Sequence, residues 1–273
     1  MSIRRKRAFE GSETELLAMT KELDELHYDV GMPAMSEGIS NMIDSMGSGA
    51  RSNSRRTFLM GAGAAIAGGA ALVTVGGAAV PALAGASTRR TASLQSLDAA
   101  AFPPAGLKGD LAVAAVAASL ENLAVFAYSA GLSAAGAGKL GTVPAAVGTF
   151  ATTVKAQHQQ HADAWNAVLK SYNKAPVTVT NPTLTPVVQA DFAKVTDIAG
   201  LAELAITLET IAAQTYQAET SKLKSKAAIG LSSSIQPVEM QHIAILYYVL
   251  GMYPGAQTSS GTPVAFNPTS QAV

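Results

Sequence analysis

Between residues 110 and 251, apolar positions recur at steps of three and four, the spacing at which one face of an α-helix meets a core. Four segments carry it. The first covers about Asp110 to Ala135, with Leu111, Ala114, Ala118, Glu121, Val125 and Tyr128 inward. The second is entered by Thr142 and Pro144 and ends near Asn173; its seam is Val147, Ala151, Val154, His158, His161, Trp165, Val168 and Tyr172. The third begins near Pro186 or Asp191 and runs to about Lys224, through Val195, Ile198, Ala202, Ala205, Glu209, Ala212 and Tyr216. The fourth spans roughly Lys226 to Gly251, with Ile235, Glu239, His242, Leu246 and Val249 inward, and Pro237 either kinks it or marks its start. The glycine-rich run Gly136–Gly141 closes the first helix. Ala175–Pro186 is β-branched and holds three prolines, too long for a tight turn and unable to continue a helix. The pattern predicts an all-α domain: a four-helix bundle over 109–251 with a long crossover between its second and third helices.

Upstream the pattern changes. Residues 1–53 form an N-terminal extension with a basic cluster, Arg4 to Arg7, and a charged helical run from Glu13 to Tyr28. Leu16, Leu23 and Leu26, with Met19 between them, give that run a modest apolar stripe. The extension is expected to be weakly structured, and a start of translation at Met35 or Met42 is the alternative. Residues 54–84 follow: Ser54-Arg55-Arg56-Thr57-Phe58-Leu59-Met60, a Gly- and Ala-rich apolar run from Gly61 to Val80, and an Ala-x-Ala site at Ala82 and Ala84. This segment resembles a twin-arginine export signal, read at Arg55 and Arg56 and cleaved after Ala84. The resemblance implies the twin-arginine translocation machinery as partner and an exported location: periplasm, cell envelope or extracellular space. Contact with the membrane is then transient, unless Gly61–Val80 stays uncleaved as an anchor. Residues 85–108 read as a linker and 252–273 as a tail.

Composition narrows the function. The 273 residues carry no net formal charge, so no basic field points to nucleic acid. Cysteine is absent, which removes thiolate metal sites, disulfides and cysteine nucleophiles together. No phosphate-cradling glycine loop follows a strand, and every histidine after Ala84 already lies on an inner seam, leaving none for a serine triad.

The inner seams hold the candidate chemistry. Of the five glutamates after Ala84, three (Glu121, Glu209, Glu239) point inward, and so do all three histidines, His158, His161 and His242. Charged groups normally stay on outer faces, so six metal-competent side chains on four inner stripes are not a solvated surface. Glu239 and His242 form a Glu-x-x-His unit, and His158 and His161 share its spacing, one helical face in each case. The set resembles the ferritin-like di-iron carboxylate family, in its exported branch with twin-arginine signals. That resemblance implies Glu121 and Glu209 as lone carboxylates, Glu239/His242 as the fourth-helix pair and His161 as the second-helix histidine, binding one or two ions of iron, manganese or zinc. Ferroxidase or peroxide-detoxifying chemistry would follow if iron is bound; a homo-oligomer is also compatible. His158 departs from the family, which has a bridging glutamate there, and its imidazole shifts the preference toward zinc, copper or iron. The alternative is a metal-free polar network in a structural or interaction module of the cell envelope. Tyr128 and Tyr216, one heptad beyond Glu121 and Glu209, are placed to donate hydrogen bonds to the carboxylates or to act in redox steps.

Overall fold

The computed structural model describes residues 9, 11–45, 102–104 and 106–252. All regular structure among them is helical: α1 (Glu13–Leu26), a π-helical turn (His27–Gly31), α2 (Met32–Ser45), α3 (Asp110–Gly136), α4 (Ala145–Ser171), α5 (Thr185–Phe192), α6 (Ile198–Thr220) and α7 (Lys226–Val249). The expected all-α bundle is thus the fold, built on α3, α4, α6 and α7. Arg55, Arg56, Ala84 and most of the linker and tail lie outside the described residues.

Short connections make α3 with α4, and α6 with α7, neighbouring hairpins. Asp110 ties one to the other: its carboxylate oxygens accept from the backbone N–H groups of Lys224 (3.0 Å) and Ser225 (2.8 Å). The Ser225 N–H, at the N-cap of α7, is a donor that a helix start leaves without a partner, so the first-turn acid of α3 serves the start of α7.

The third segment is not one helix. It breaks into α5 and α6 because Asp197, at extended backbone angles, turns its Oδ1 onto the Gly200 N–H at 2.8 Å and starts α6 afresh. The crossover before α5 runs along the bundle as expected. Asn166 grips Val177 at both backbone groups (2.7 and 3.0 Å), and Asn181 N–H donates to Ser119 O at 3.0 Å. Leu184 and Val188 then pack on Leu123, Ala127 and Ile211.

The core divides into two apolar ends. One gathers Ala114, Ala118, Trp165, Leu169, Leu231 and Ile235; the other Phe150, Val154, Ile198, Ala202, Leu246 and Val249. The six inward polar side chains occupy the layer between them.

The N-terminal extension corrects the sequence reading. Glu13–Ser45 is a continuous run of helix about 50 Å long at 1.5 Å per residue, lying against α4 and α7. Its buried line is Leu16, Thr20, Leu23, His27, Gly31, Met35 and Ile39. Successive steps of four drift roughly 40° each round an ideal helix. The π turn takes up that drift and keeps the line on one face. Leu26 stays 41 % exposed because the line passes through His27 instead. Burial of Leu16, Leu23, Met35 and Ile39 removes a weakly structured state for this stretch, at about 1.5–3 kcal/mol for each side chain. The end of the linker also packs, through Phe102 and Leu107.

Candidate metal centre

All six predicted side chains converge, and all are at most 2 % exposed. His158 stands centrally: Nδ1 is 2.8 Å from Glu121 Oε2 and Nε2 is 3.2 Å from Glu209 Oε1. His161 Nδ1 lies 3.1 Å from Glu239 Oε1 and 3.5 Å from Glu121 Oε2. His242 Nδ1 lies 3.2 Å from Glu209 Oε2 and 3.7 Å from Glu239 Oε2. Two groups result, Glu121/His158/His161/Glu239 and His158/Glu209/Glu239/His242, each with its donor atoms within 4.8 Å of one another. Glu239 and His158 belong to both.

The donor set fits a metal. Both nitrogens of His161 and both oxygens of Glu239 are buried without a hydrogen bond, although 3.1 Å separates the closest pair. Misaligned close neighbours of this kind face a shared point rather than each other, and leaving them so costs free energy that an ion would recover. Three carboxylates and three imidazoles form a mixed oxygen–nitrogen set that could hold one ion or two.

Without an ion, the groups settle their charges among themselves. Burial opposes every charge here, so each ionised group must be held by a neighbour. For Glu121, burial is outweighed by the charge of His161 and by the hydrogen bond from His158, bringing its carboxyl down to about 2. Glu209 is held well below the usual range, again against burial, by His158 and His242. His158, despite burial, is raised well above an ordinary imidazole by the charges of Glu209 and Glu239, and His161 is raised by Glu121. Glu239 cannot ionise as well: burial and the charges of Glu121 and Glu209 push it up to about 8. His242 is lowered, mainly by burial. These directions favour charge on Glu121, Glu209, His158 and His161 and oppose it on Glu239 and His242, so negative and positive groups offset one another.

Two tyrosines complete the hydrogen bonding, in the manner expected of donors to the carboxylates. Tyr128 OH donates to Glu209 Oε1 and Tyr216 OH to Glu121 Oε1. Both hydroxyls are raised well above the ordinary phenol, by burial and by the adjacent carboxylates. Trp165 Nε1–H donates to the Tyr216 oxygen at 2.8 Å, with its ring stacked on the tyrosine.

An apolar cleft of about 60 Å³ is lined by residues such as Gly131, Val147, Leu201, Ala205 and Leu208, and by Tyr128, the hydrogen-bond donor to Glu209. A smaller cavity of about 20 Å³ lies across Tyr128 and Leu208, against Glu121, His158 and Glu209.

Sequence reasoning missed the side chains around the ligands. Gln157, 1 % exposed, holds its Oε1 2.8 Å from His242 Nε2 and donates Nε2–H to Asp24 Oδ1 at 3.2 Å. His27, also 1 % exposed, places Nε2 2.7 Å from Gln160 Oε1, and its ring lies 5.3 Å from that of His161. Burial and the His161 charge take His27 down to about 3, so it is neutral. Its signal was available: His27 lies four residues past Leu23 on the stripe begun by Leu16.

The fold and site together define a helical bundle enclosing a buried carboxylate–imidazole cluster that could hold a metal ion. Residues 109–252, more than half the chain, match the family described as Ferritin-like domain, and the chain belongs to that family. Comparison with curated proteins and with solved structures returns no match.

Proposed function

We propose that this chain is an exported ferritin-like metalloprotein whose centre binds one or two transition ions, iron, manganese or zinc, and with iron carries out oxidation by dioxygen or peroxide. The observation that carries this is the pair of donor groups sharing His158 and Glu239, with unpartnered atoms on His161 and Glu239. Glu121, His161 and Glu239 would hold one ion, and Glu209, Glu239 and His242 the other, with His158 between them. A bound iron would supply one-electron chemistry with oxygen species. The protein's own part is to orient the carboxylates through Tyr128 and Tyr216, keep bulk water out, and take up the protons that ligands release. The apolar cleft, with Tyr128 in its wall, supports a small, weakly polar reactant such as dioxygen.

Elemental analysis of protein from metal-replete cells tests the binding. One or two transition ions per chain are expected, and a Glu209→Ala, His242→Ala pair should lose them. Protein free of metal in both forms refutes the reading.

One observation favours a second reading, a metal-free structural or interaction module. His158 already bridges Glu121 and Glu209, and the cluster balances its charge without an ion. Stability that is unchanged by added metal would select it.

Export rests on the Arg55-Arg56 motif and the Ala82-x-Ala84 site. The packing of Glu13–Ser45 on the bundle adds a topological condition. The apolar run 61–80 separates the two in sequence, so a molecule in this fold has both on one side of any membrane. We assign this packing to the precursor before translocation; cleavage after Ala84 would sever the helix from the chain. Replacing Arg55 and Arg56 by lysine should leave the protein in the cytoplasm, with its intact mass including residues 1–84. Normal secretion of that variant removes the motif from the account.

A further inference from the structure

The helix Glu13–Ser45 lies outside residues 109–252, yet two of its side chains reach the neighbours of the metal-competent residues. The order of donors and acceptors along one path is fixed by chemistry. Asp24 offers a carboxylate, which accepts hydrogen bonds, so the Gln157 side chain must face it with its NH₂ group, 3.2 Å away. The amide oxygen of Gln157 is thereby turned the other way, to 2.8 Å from His242 Nε2. An amide oxygen only accepts, and at 2.8 Å it lies closer to Nε2 than Glu209 Oε2 lies to Nδ1 (3.2 Å); a neutral His242 can donate to only one of these acceptors, and the shorter contact places the proton on Nε2. The bare nitrogen is then Nδ1, and Nδ1 is the atom directed at Glu209 and Glu239. A ligand imidazole held by its second nitrogen in this way is fixed in both tautomer and ring orientation.

The rest of the helix holds Asp24 in register. Tyr248 OH accepts from Ser12 N–H at 2.9 Å and donates to Glu15 Oε2 at 2.7 Å. Glu13 Oε2 accepts from Ala146 N–H, at the start of α4. On the far side of Asp24 the π turn brings in His27, whose Nε2 meets Gln160 Oε1, and Gln160 Nε2–H reaches Tyr28 OH at 2.8 Å. Leu16 and Leu23 close the contact between them.

We propose that Asp24 is a positioning residue of the metal centre, acting through Gln157 to hold His242 with Nδ1 free for an ion, so that the N-terminal helix sets how tightly the full-length chain keeps metal. The metal half of this statement rests on the function proposed above; the tautomer half does not.

The experiment uses the full-length chain and two variants, Asp24→Ala and Asp24→Asn. The asparagine oxygen can still accept from Gln157, so it should restore what alanine loses. In the metal-free protein, nitrogen-15 NMR of His242 should report the Nε2-protonated tautomer in the wild type and in Asp24→Asn, and a mixture in Asp24→Ala. In protein loaded with zinc alone, transfer to a chromogenic chelator should run about tenfold faster for Asp24→Ala than for the other two. Circular dichroism and urea midpoints tell whether the helix stays docked; Leu16→Ala, which weakens docking without touching Asp24, gives the effect of loosening alone. An Nδ1-protonated His242 in the wild type, or equal tautomers in all three forms, overturns the proposal. A wild type that takes up no zinc but shows the expected tautomer pattern overturns the metalloprotein reading and leaves the positioning intact. Equal zinc release with the expected tautomers overturns the claim that the helix governs retention.

Discussion

Tyr216 on α6 donates its hydroxyl hydrogen to Glu121 on α3, and the same oxygen receives the Trp165 indole N–H from α4. Three helices thus meet at one hydroxyl, and the carboxylate it serves is a candidate ligand. Removing that hydroxyl by Tyr216→Phe takes a charge-assisted bond from Glu121 and leaves the buried Trp165 N–H without a partner. A loss of about 2–4 kcal/mol is expected, combining the bond to a charged group with the stranded donor. Tyr128→Phe removes one bond to Glu209 and strands no donor, so it should cost less, about 1.5–3 kcal/mol. Urea denaturation of the two metal-free variants gives both values, and their order is the test.

The protons held in the cluster predict how stability changes with pH. As pH rises from about 6.5 to about 8 the unfolded chain gives up its histidine protons, its glutamates being ionised already. The folded chain holds protons longer on Glu239, pushed up to about 8, on His158, raised well above an ordinary imidazole, and on His161, raised in the same direction. The folded state then binds more protons than the unfolded one, so stability falls as pH rises, by about 1.4 kcal/mol per pH unit for each such proton. Below 6.5 the slope is opposed, because His27 and His242 are lowered and resist protonation when folded. Glu121 and Glu209 stabilise above their unfolded value, and that contribution is lost on acidification toward the folded value of about 2 for Glu121. Metal-free protein should therefore melt at lower temperature at pH 8 than at pH 6.5. Added zinc should reverse the trend, since it competes for the same sites with those protons.

His158 holds together carboxylates that would otherwise repel, which makes it the position most sensitive to charge. His158→Glu places a fourth carboxylate among Glu121, Glu209 and Glu239 and removes the cation between them. Without metal the variant should lose about 3–5 kcal/mol, the cost of leaving buried charge uncompensated. With zinc or manganese it should recover most of that loss and show a larger metal-induced rise in melting temperature than the wild type. Thermal scans with and without each ion decide it. A variant as stable as the wild type without metal would mean that His158 carries no charge there.

Legibility in the sequence followed period and burial. Glu121, Glu209 and Glu239 were readable because a helix seam leaves a carboxylate only one direction to point, and the seams of α3, α6 and α7 are long. The break between α5 and α6 was not: Asp197 and Gly200 form a local cap that leaves the three-and-four spacing of Val195, Ile198 and Ala202 undisturbed. The N-terminal helix was hidden for a different reason. Its stripe runs through Thr20, His27 and Gly31, which do not read as apolar, and its register depends on a π turn that an ideal helical period steps across. Asp24 and Gln157 could not be found by any period, since each acts only through the other and they lie 133 residues apart.

The apolar cleft gives the last prediction, because it separates entry of a reactant from binding of metal. The cleft and the cavity beside Glu121 and Glu209 share Tyr128 and Leu208 in their walls, while Ala205, one helical turn before Glu209, lines the cleft only. Ala205→Phe should fill the cleft at a cost of about 1–3 kcal/mol for overpacking, while replacing none of the six candidate ligands. Metal content should be unchanged. If dioxygen reaches the centre by this route, its reaction with iron(II)-loaded protein should slow about tenfold or more, the effect of ~1.4 kcal/mol added to the barrier. Stopped-flow oxidation of the loaded variant measures the rate, and elemental analysis of the same sample verifies the iron. An unaltered rate at equal iron content would mean that the reactant enters elsewhere, with the α4–α7 side under the N-terminal helix the next face to block.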